Sequence, residues 1–187
     1  LAGFFCFFFR DPKRNTPETP NGVVSPADGR VVFSGVSKSG TAPDGIWLQV
    51  SIFLSPLDVH VNRVPVSGVI TRVDYRPGRF LPAYRQEAAR ENERCETWID
   101  HHGQMIVCRQ IVGILARRVV CRVTPGMFVG LGQHLGIMKF GSRMDVFIPP
   151  DGSLQVSVGD IVRGGETIVA VLSDREVDKT EGQEFNA

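Results

Sequence analysis

No basic run in this sequence is long enough to follow a phosphate backbone. Its 21 Lys and Arg against 20 Asp and Glu give a net charge of +1, which argues against a dedicated nucleic-acid binder. Metal-ligand spacing is missing too. The four cysteines, Cys6, Cys95, Cys108 and Cys121, form no CxxC pair, and His101-His102 has no HExxH or Cys/His ladder beside it. The cysteines read as buried free thiols of a reducing compartment, and no metal is expected. Long helical patterns are scarce as well. Twenty Gly and twelve Pro cut the chain into short segments, which favours strands and turns.

What is present suits one globular domain. A length of 187 residues, 42% apolar and 22% charged, suffices for one core. The proline-bearing stretch 15–21 reads as an extended linker. Strands are expected at Val23-Val24, at Val31-Val32-Phe33 after the Asp28-Gly29 turn, and over 46–54. Pro65 and Gly68 make 64–73 a bent or edge strand. Segments 96–99 and 104–110 read as a hairpin around Asp100-His101-His102-Gly103, with both histidines in the turn. Residues 79–95 carry six charges between Arg85 and Arg94 and few large apolar side chains, the composition of an exposed helix or mobile loop. Segment 111–123 reads as a helix followed by a strand. Hairpin-spaced strands follow Pro149-Pro150-Asp151-Gly152, and 174–187 is polar and frayed. Pro26-Ala27-Asp28-Gly29, Pro65-Val66-Ser67-Gly68 and Pro150-Asp151-Gly152 each precede a short β run, an echo that resembles biotinyl and lipoyl domains. The expected fold is mainly β (α+β), with barrel-sandwich-hybrid-like strands and one or two helices.

The chain opens on Leu1 rather than Met, which reads as a trimmed start. Leu1–Phe9 is almost wholly apolar, with five Phe in nine residues. As a helix it rises about 14 Å, roughly half of a ~30 Å hydrocarbon core, so it cannot span alone. It is either the end of a membrane helix or an apolar segment docked on the core. Arg10, Lys13 and Arg14 directly after it favour the membrane reading, on the cytoplasmic side.

The chemistry sits in Lys139-Phe140-Gly141-Ser142-Arg143-Met144-Asp145. Here a Gly-Ser bond joins two apolar runs, Gly136-Ile137-Met138 and Val146-Phe147-Ile148. The ordinary reading is a turn between strands. The other reading is a bond that cuts itself. Gly141 admits backbone angles closed to other residues, and the Ser142 hydroxyl stands next to the Gly141 carbonyl. Attack moves the acyl group from nitrogen to oxygen. β-Elimination of the carboxylate then leaves a dehydroalanine, which hydrolyses to a pyruvoyl group at a new N-terminus.

Three motifs in order favour the second reading: Ser25-Pro26-Ala27-Asp28-Gly29-Arg30, Leu54-Ser55-Pro56-Leu57-Asp58-Val59-His60 and Phe140-Gly141-Ser142-Arg143. Together they resemble the phosphatidylserine decarboxylase family, above all its short bacterial and archaeal branch, over residues 8–172. The resemblance implies a proenzyme cut into residues 1–141 (beta chain) and 142–187 (alpha chain). It implies a covalent pyruvoyl cofactor made from Ser142, and conversion of phosphatidylserine to phosphatidylethanolamine and CO2 in phospholipid biosynthesis. Short members carry apolar N-terminal segments ending in Phe-Arg-Asp-Pro, as here, which supports a membrane surface as partner; a homodimer is reasonable on the same ground. The expected organisation is a membrane-proximal segment, residues 1–14, and a single catalytic domain, residues 15–187.

Decarboxylating an amino acid needs an electron sink, and a pyruvoyl ketone supplies one. His60 is the candidate that returns a proton to the α-carbon. Asp28 is the candidate that activates Ser142. Longer members carry a second histidine three residues after the first, where Arg63 stands here. Either His60 serves both stages or Asp28 acts through water, and the latter is favoured. Arg63 and Arg143 are candidates for the substrate phosphate or carboxylate. Archaetidylserine is an alternative substrate. A biotin-carrier hairpin at Met138-Lys139 and a serine hydrolase using Asp28, His60 and Ser142 are rivals of other kinds. The hydrolase lacks a G-x-S-x-G elbow.

Overall fold

The computed structural model describes residues 7–38, 40–114, 118–138 and 141–174. Eight strands form one antiparallel sheet. In sheet order they are Ile161–Val162 (β13), Gly29–Val36 (β2), Leu48–Leu54 (β3), Ser142–Ile148 (β11), Gln104–Ile111 (β7), Arg94–His101 (β6), Gly68–Arg76 (β5) and Phe128–Val129 (β9). Gly22–Val24 (β1), Ile168–Val171 (β14) and Ser153–Leu154 (β12) make a three-stranded sheet. Val61–Arg63 (β4), His134–Met138 (β10) and Val119–Cys121 (β8) make another. The fold is mainly β, as expected.

Side chains alternate between the two faces of a strand, and in the large sheet the faces differ in kind. One face is apolar. Val50, Ile52 and Leu54 of β3 stand in register with Val146, Met144 and Ser142 of β11. Ile106 and Cys108 of β7 join them in the main core with Val64, Leu135 and Met138. The other face is charged. Ser51, Asp145, Arg109, Glu96 and Asp74 lie in register across five strands, β3, β11, β7, β6 and β5. The neighbouring row holds Phe53, Arg143, Ile111, Arg94 and Arg76. All of β11 is nonetheless buried, because both faces are covered.

The cover over the charged face is the stretch expected to be an exposed helix or mobile loop. Helix there shrinks to one turn, Ala88–Glu91. Ala83, Ala88 and Ala89 are buried. Asn92, fully buried, bonds both backbone groups of Leu81 and the carbonyl of Val112. The segment has too few large apolar side chains for a long amphipathic helix, so backbone and asparagine bonds dock it instead.

Two further expectations change. The helix in 111–123 is not found among the described residues: β7 runs to Ile111 and β8 begins at Val119, while 115–117 lie outside them. His101 is a strand residue, not a turn residue. It ends β6, is buried, and sets its ring nitrogens against the carbonyls of Ser67 at 2.6 Å and Pro20 at 3.2 Å. The turn proper is His102-Gly103, with φ of 52° and 79°, the primed geometry that matches strand twist. Cys95 and Cys108 are buried free thiols and Cys121 is a partly exposed one; Cys6 lies outside the described residues.

Candidate active site

The segments that carry the motifs run side by side. β3 passes through residues 55–60 into β4, from the large sheet to a small one. β10 passes through 139–141 into β11, from that small sheet back to the large one. The two crossings are tied at both ends. Ser142 pairs with Leu54, and the Met138 amide donates to the His60 carbonyl at 3.3 Å. The Gly-Ser bond is therefore not at a hairpin tip, because β10 and β11 do not pair with each other. The carrier-hairpin rival expected such a tip at Met138-Lys139; Lys139 and Phe140 themselves lie outside the described residues.

Gly141 has φ of 68°, a left-handed conformation that glycine adopts without strain. Its carbonyl oxygen lies against Gly113, just past the end of β7. Ser142, the first residue of β11, faces the apolar side, is fully buried, and its Oγ has no hydrogen-bond partner. A buried bare hydroxyl costs free energy, so its retention points to chemistry rather than to stability.

His60 ends a rigid turn. Asp58 Oδ2 accepts from the Ser55 amide at 2.7 Å, and the Asp58 amide donates to the Ser55 carbonyl at 3.0 Å. The His60 ring sets Nδ1 2.8 Å from the Asp58 carbonyl. A carbonyl can only accept, so Nδ1 carries the proton and Nε2 presents its lone pair. Nε2 is buried and without a partner. Burial pushes the His60 pKa below the ordinary histidine range, against the opposing pull of the Asp58 carbonyl bond. Phe8 contributes to that burial, its ring stacking on the imidazole with centroids 4.1 Å apart.

The sequence reading missed Gln110 and gave Asn62 no task. Gln110 Nε2 donates to Asn62 Oδ1 at 2.8 Å. Both residues are fully buried, and Asn62 Nδ2 and Gln110 Oε1 are bare. Gln110 pairs with Met144, so it stands on the face of Ser142 at roughly the 7–8 Å diagonal spacing of a sheet. A glutamine among β-branched core residues of a strand is the one signal that the sequence offered.

Asp28 sits elsewhere. Its Oδ2 accepts from Arg14 at 2.9 Å and its Oδ1 from the Gly164 amide at 2.8 Å. No hydrogen bond joins it to Ser142 or His60. Arg63 donates to Asp11 Oδ1 at 2.5 Å and to the carbonyls of Pro12 and Gly132. Arg143, on the opposite face of β11 from the Ser142 hydroxyl, grips Asp145 through two nitrogens, at 2.6 and 3.0 Å, and Ser51 at 3.0 Å.

The segment after the apolar start is a strap over these same residues. Phe8 covers His60, Arg10 donates to the Leu57 carbonyl at 2.8 Å, Asp11 holds Arg63, and Arg14 holds Asp28. Two of the three basic residues expected to face lipid are thus bound to protein. Phe7 and Phe9 remain 46% and 44% exposed; Leu1 to Cys6 lie outside the described residues. Among the described residues no helix is long and apolar enough to cross a membrane, and no three His, Cys, Asp or Glu side chains cluster to hold a metal.

Comparison with known proteins matches residues 1–170 to the family model described as phosphatidylserine decarboxylase. Among similar proteins, the phosphatidylserine decarboxylase proenzyme of Desulfotalea psychrophila is 40% identical over 172 residues, 91% of this chain and 80% of the relative. That of Pelodictyon phaeoclathratiforme is 43% identical over 167 residues, 89% and 78%. That of Salinibacter ruber is 42% identical over 187 residues, 98% and 82%.

Proposed function

This chain belongs to the phosphatidylserine decarboxylase family, and we propose that it is a proenzyme that cuts itself at Gly141-Ser142 and then converts phosphatidylserine to phosphatidylethanolamine and CO2. The observation that carries this reading is the buried, unpartnered Ser142 hydroxyl at a crossing between sheets. The Gly141 carbonyl packed on Gly113 and the bare Nε2 of His60 support it.

In the first stage Ser142 Oγ attacks the Gly141 carbonyl carbon and His60 Nε2 takes its proton. The carbon–nitrogen bond breaks as that proton passes to the departing nitrogen, leaving an ester. Loss of the Ser142 α-proton expels Gly141 as a carboxylate. Water then releases ammonia and leaves a pyruvoyl group on residue 142. The residues fit such a group, because β11, paired with β3 on one side and β7 on the other from Ser142 and Arg143 onward, would hold the new N-terminus in place.

The pyruvoyl ketone supplies the sink for the electron pair released with CO2. His60 returns a proton to the substrate α-carbon. The sequence favoured Asp28 for activating Ser142. We now assign both stages to His60, because both Asp28 oxygens are held by Arg14 and Gly164. Asp28 then acts as a clasp between the strap and the 163–166 turn. Arg63 takes the substrate phosphate by exchanging its partner Asp11, which is 37% exposed. Arg143 fixes the start of β11 through buried Asp145. The enzyme works at the cytoplasmic membrane surface, with Phe7 and Phe9 toward lipid beside the strap.

Intact-mass measurement of the purified chain tests this. Fragments 1–141 and 142–187, the second beginning with a pyruvoyl group, are expected, with release of CO2 from phosphatidylserine in micelles. Ser142→Ala should stay a single chain. A wild-type chain that releases CO2 while uncut would overturn the reading.

A further inference from the structure

The charged face of the large sheet borders a cavity that the decarboxylation reading leaves unused. Its volume is about 460 Å³, between the 40–44 loop and β5, β6 and β7. Arg72, Arg76, Arg90, Arg94 and Arg109 line it, against two carboxylates, Asp44 and Glu96. It lies on the Arg143 side of the sheet, opposite the side that Ser142 faces.

Local partners answer part of this charge. Arg109 grips Glu96 Oε1 through Nε and Nη2, each at 2.9 Å, and donates Nη1 to the Thr41 carbonyl. Arg72 pairs with Asp74. Arg94 is served poorly. Its Nη1 is pinned by the carbonyls of Arg90 and Asn92 at 2.6 and 3.3 Å. Its Nε is buried without a hydrogen-bond partner, and the nearest carboxylate oxygen, Glu96 Oε1 at 3.7 Å, is already taken by Arg109. Holding guanidiniums together out of water is costly unless an anion joins them. Burial and the charge of Arg109 both depress the Arg94 pKa, the same imbalance seen another way. The carbonyls fix the Arg94 fork before any ligand arrives, and a fixed fork suits phosphate oxygens.

We propose that this cavity binds a phosphate-bearing anion, a phosphomonoester or phosphodiester, with Arg94 at its floor and Arg72 and Arg76 at its rim. The ligand's oxygens complete the charge that Glu96 leaves unanswered. The shared chemistry has two sources, a soluble phosphate or an anionic lipid headgroup. The site stands apart from the self-cleaving bond.

The experiment compares the full wild-type chain with Arg72→Gln/Arg76→Gln and with Arg94→Lys. The double variant changes only exposed rim residues, and its unfolding temperature without ligand checks the fold. Probes are inorganic phosphate, glycerol 3-phosphate, and vesicles of phosphatidylcholine with and without phosphatidylglycerol. Each is read by calorimetry or flotation against sodium chloride of equal ionic strength. A soluble site gives saturable phosphate binding that raises the unfolding temperature. It weakens roughly tenfold or more in either variant, the usual loss for a charge-assisted hydrogen bond. A headgroup site leaves soluble phosphates without effect and shows the same loss on phosphatidylglycerol vesicles. Arg94→Lys keeps the charge, so unchanged binding in that variant would reduce the cavity to a diffuse basic patch and overturn the proposal. Equal binding by wild type and the double variant, or an equal effect of chloride, would overturn it too.

Discussion

A β-carbon on Gly113 would stand 1.8 Å from the carbonyl oxygen of Gly141. Real contacts of that kind do not occur, so residue 113 has to lack a side chain for the carbonyl to sit where it does. The backbone of Gly113 has no positive φ, so conformation alone would admit alanine. The requirement is steric, and it concerns the bond proposed to break.

Gly113→Ala should therefore remain a single chain, or cut at least about a hundredfold more slowly, the scale of a misplaced reacting group. Gel analysis of freshly purified protein over hours measures this. Circular dichroism should show the β fold retained. Normal cleavage would mean that the carbonyl's place against Gly113 has no part in the cut.

His60→Ala should also stay uncut, because the proposed mechanism gives the same Nε2 both stages. Asp28→Ala should still cut and should lose stability, since Arg14 and the Gly164 amide lose their partner. The reverse pattern, with uncut Asp28→Ala and cut His60→Ala, would return the first stage to Asp28.

The environment of His60 sets a pH dependence. Its folded pKa is lowered chiefly by burial, so the unfolded chain binds the proton more readily. Its contribution to stability is present above about pH 6.5 and is lost as pH falls toward the folded pKa. Cleavage needs the neutral ring and should follow the same direction, holding through pH 6.5 and failing below it. Phe8→Ala uncovers the imidazole, so its pKa should rise toward 6.5 and the acid limb of the rate profile should move upward. An unmoved limb would detach Phe8, or His60, from the rate.

The Gln110–Asn62 pair should matter for stability and for turnover. Gln110→Ala leaves Asn62 Oδ1 bare in the core at a cost of about 1–3 kcal/mol, measurable by urea unfolding. If the pair's bare atoms line the substrate's path, the processed variant should also lose kcat. A loss of stability with unchanged kcat and KM would make the pair purely structural.

Membrane contact should depend more on Phe7 and Phe9 than on charge. Arg10 and Arg14 are bound to protein, which leaves Lys13 the exposed basic residue of the three. Phe7→Ala/Phe9→Ala should weaken vesicle sedimentation more than Lys13→Gln, whose share is about 1 kcal/mol on an anionic surface. Equal pelleting of all forms would argue against this surface as the contact.

Local chemistry made much of this protein legible from sequence. The hairpin between β6 and β7 and the Asp28-Gly29 turn follow from neighbouring residues, and so does the pairing of a serine hydroxyl with the carbonyl before it at Gly141-Ser142, because turn geometry acts over one or two peptide units. Short apolar runs likewise marked β2 and β3 as strands. What no neighbour dictates was decided by tertiary structure. No neighbour of Asp28 announces that Arg14 and the Gly164 amide will hold its oxygens. Arg10 and Arg14 read as lipid-facing until the strap folds back over His60. The charged row Ser51–Asp145–Arg109–Glu96–Asp74 comes from strands scattered over 95 positions of the chain, and the contact of Gly113 with Gly141 joins two ends of neighbouring strands. The partners of a buried charge or a carbonyl are chosen by sheet register, and register is fixed only when the whole apolar face packs at once.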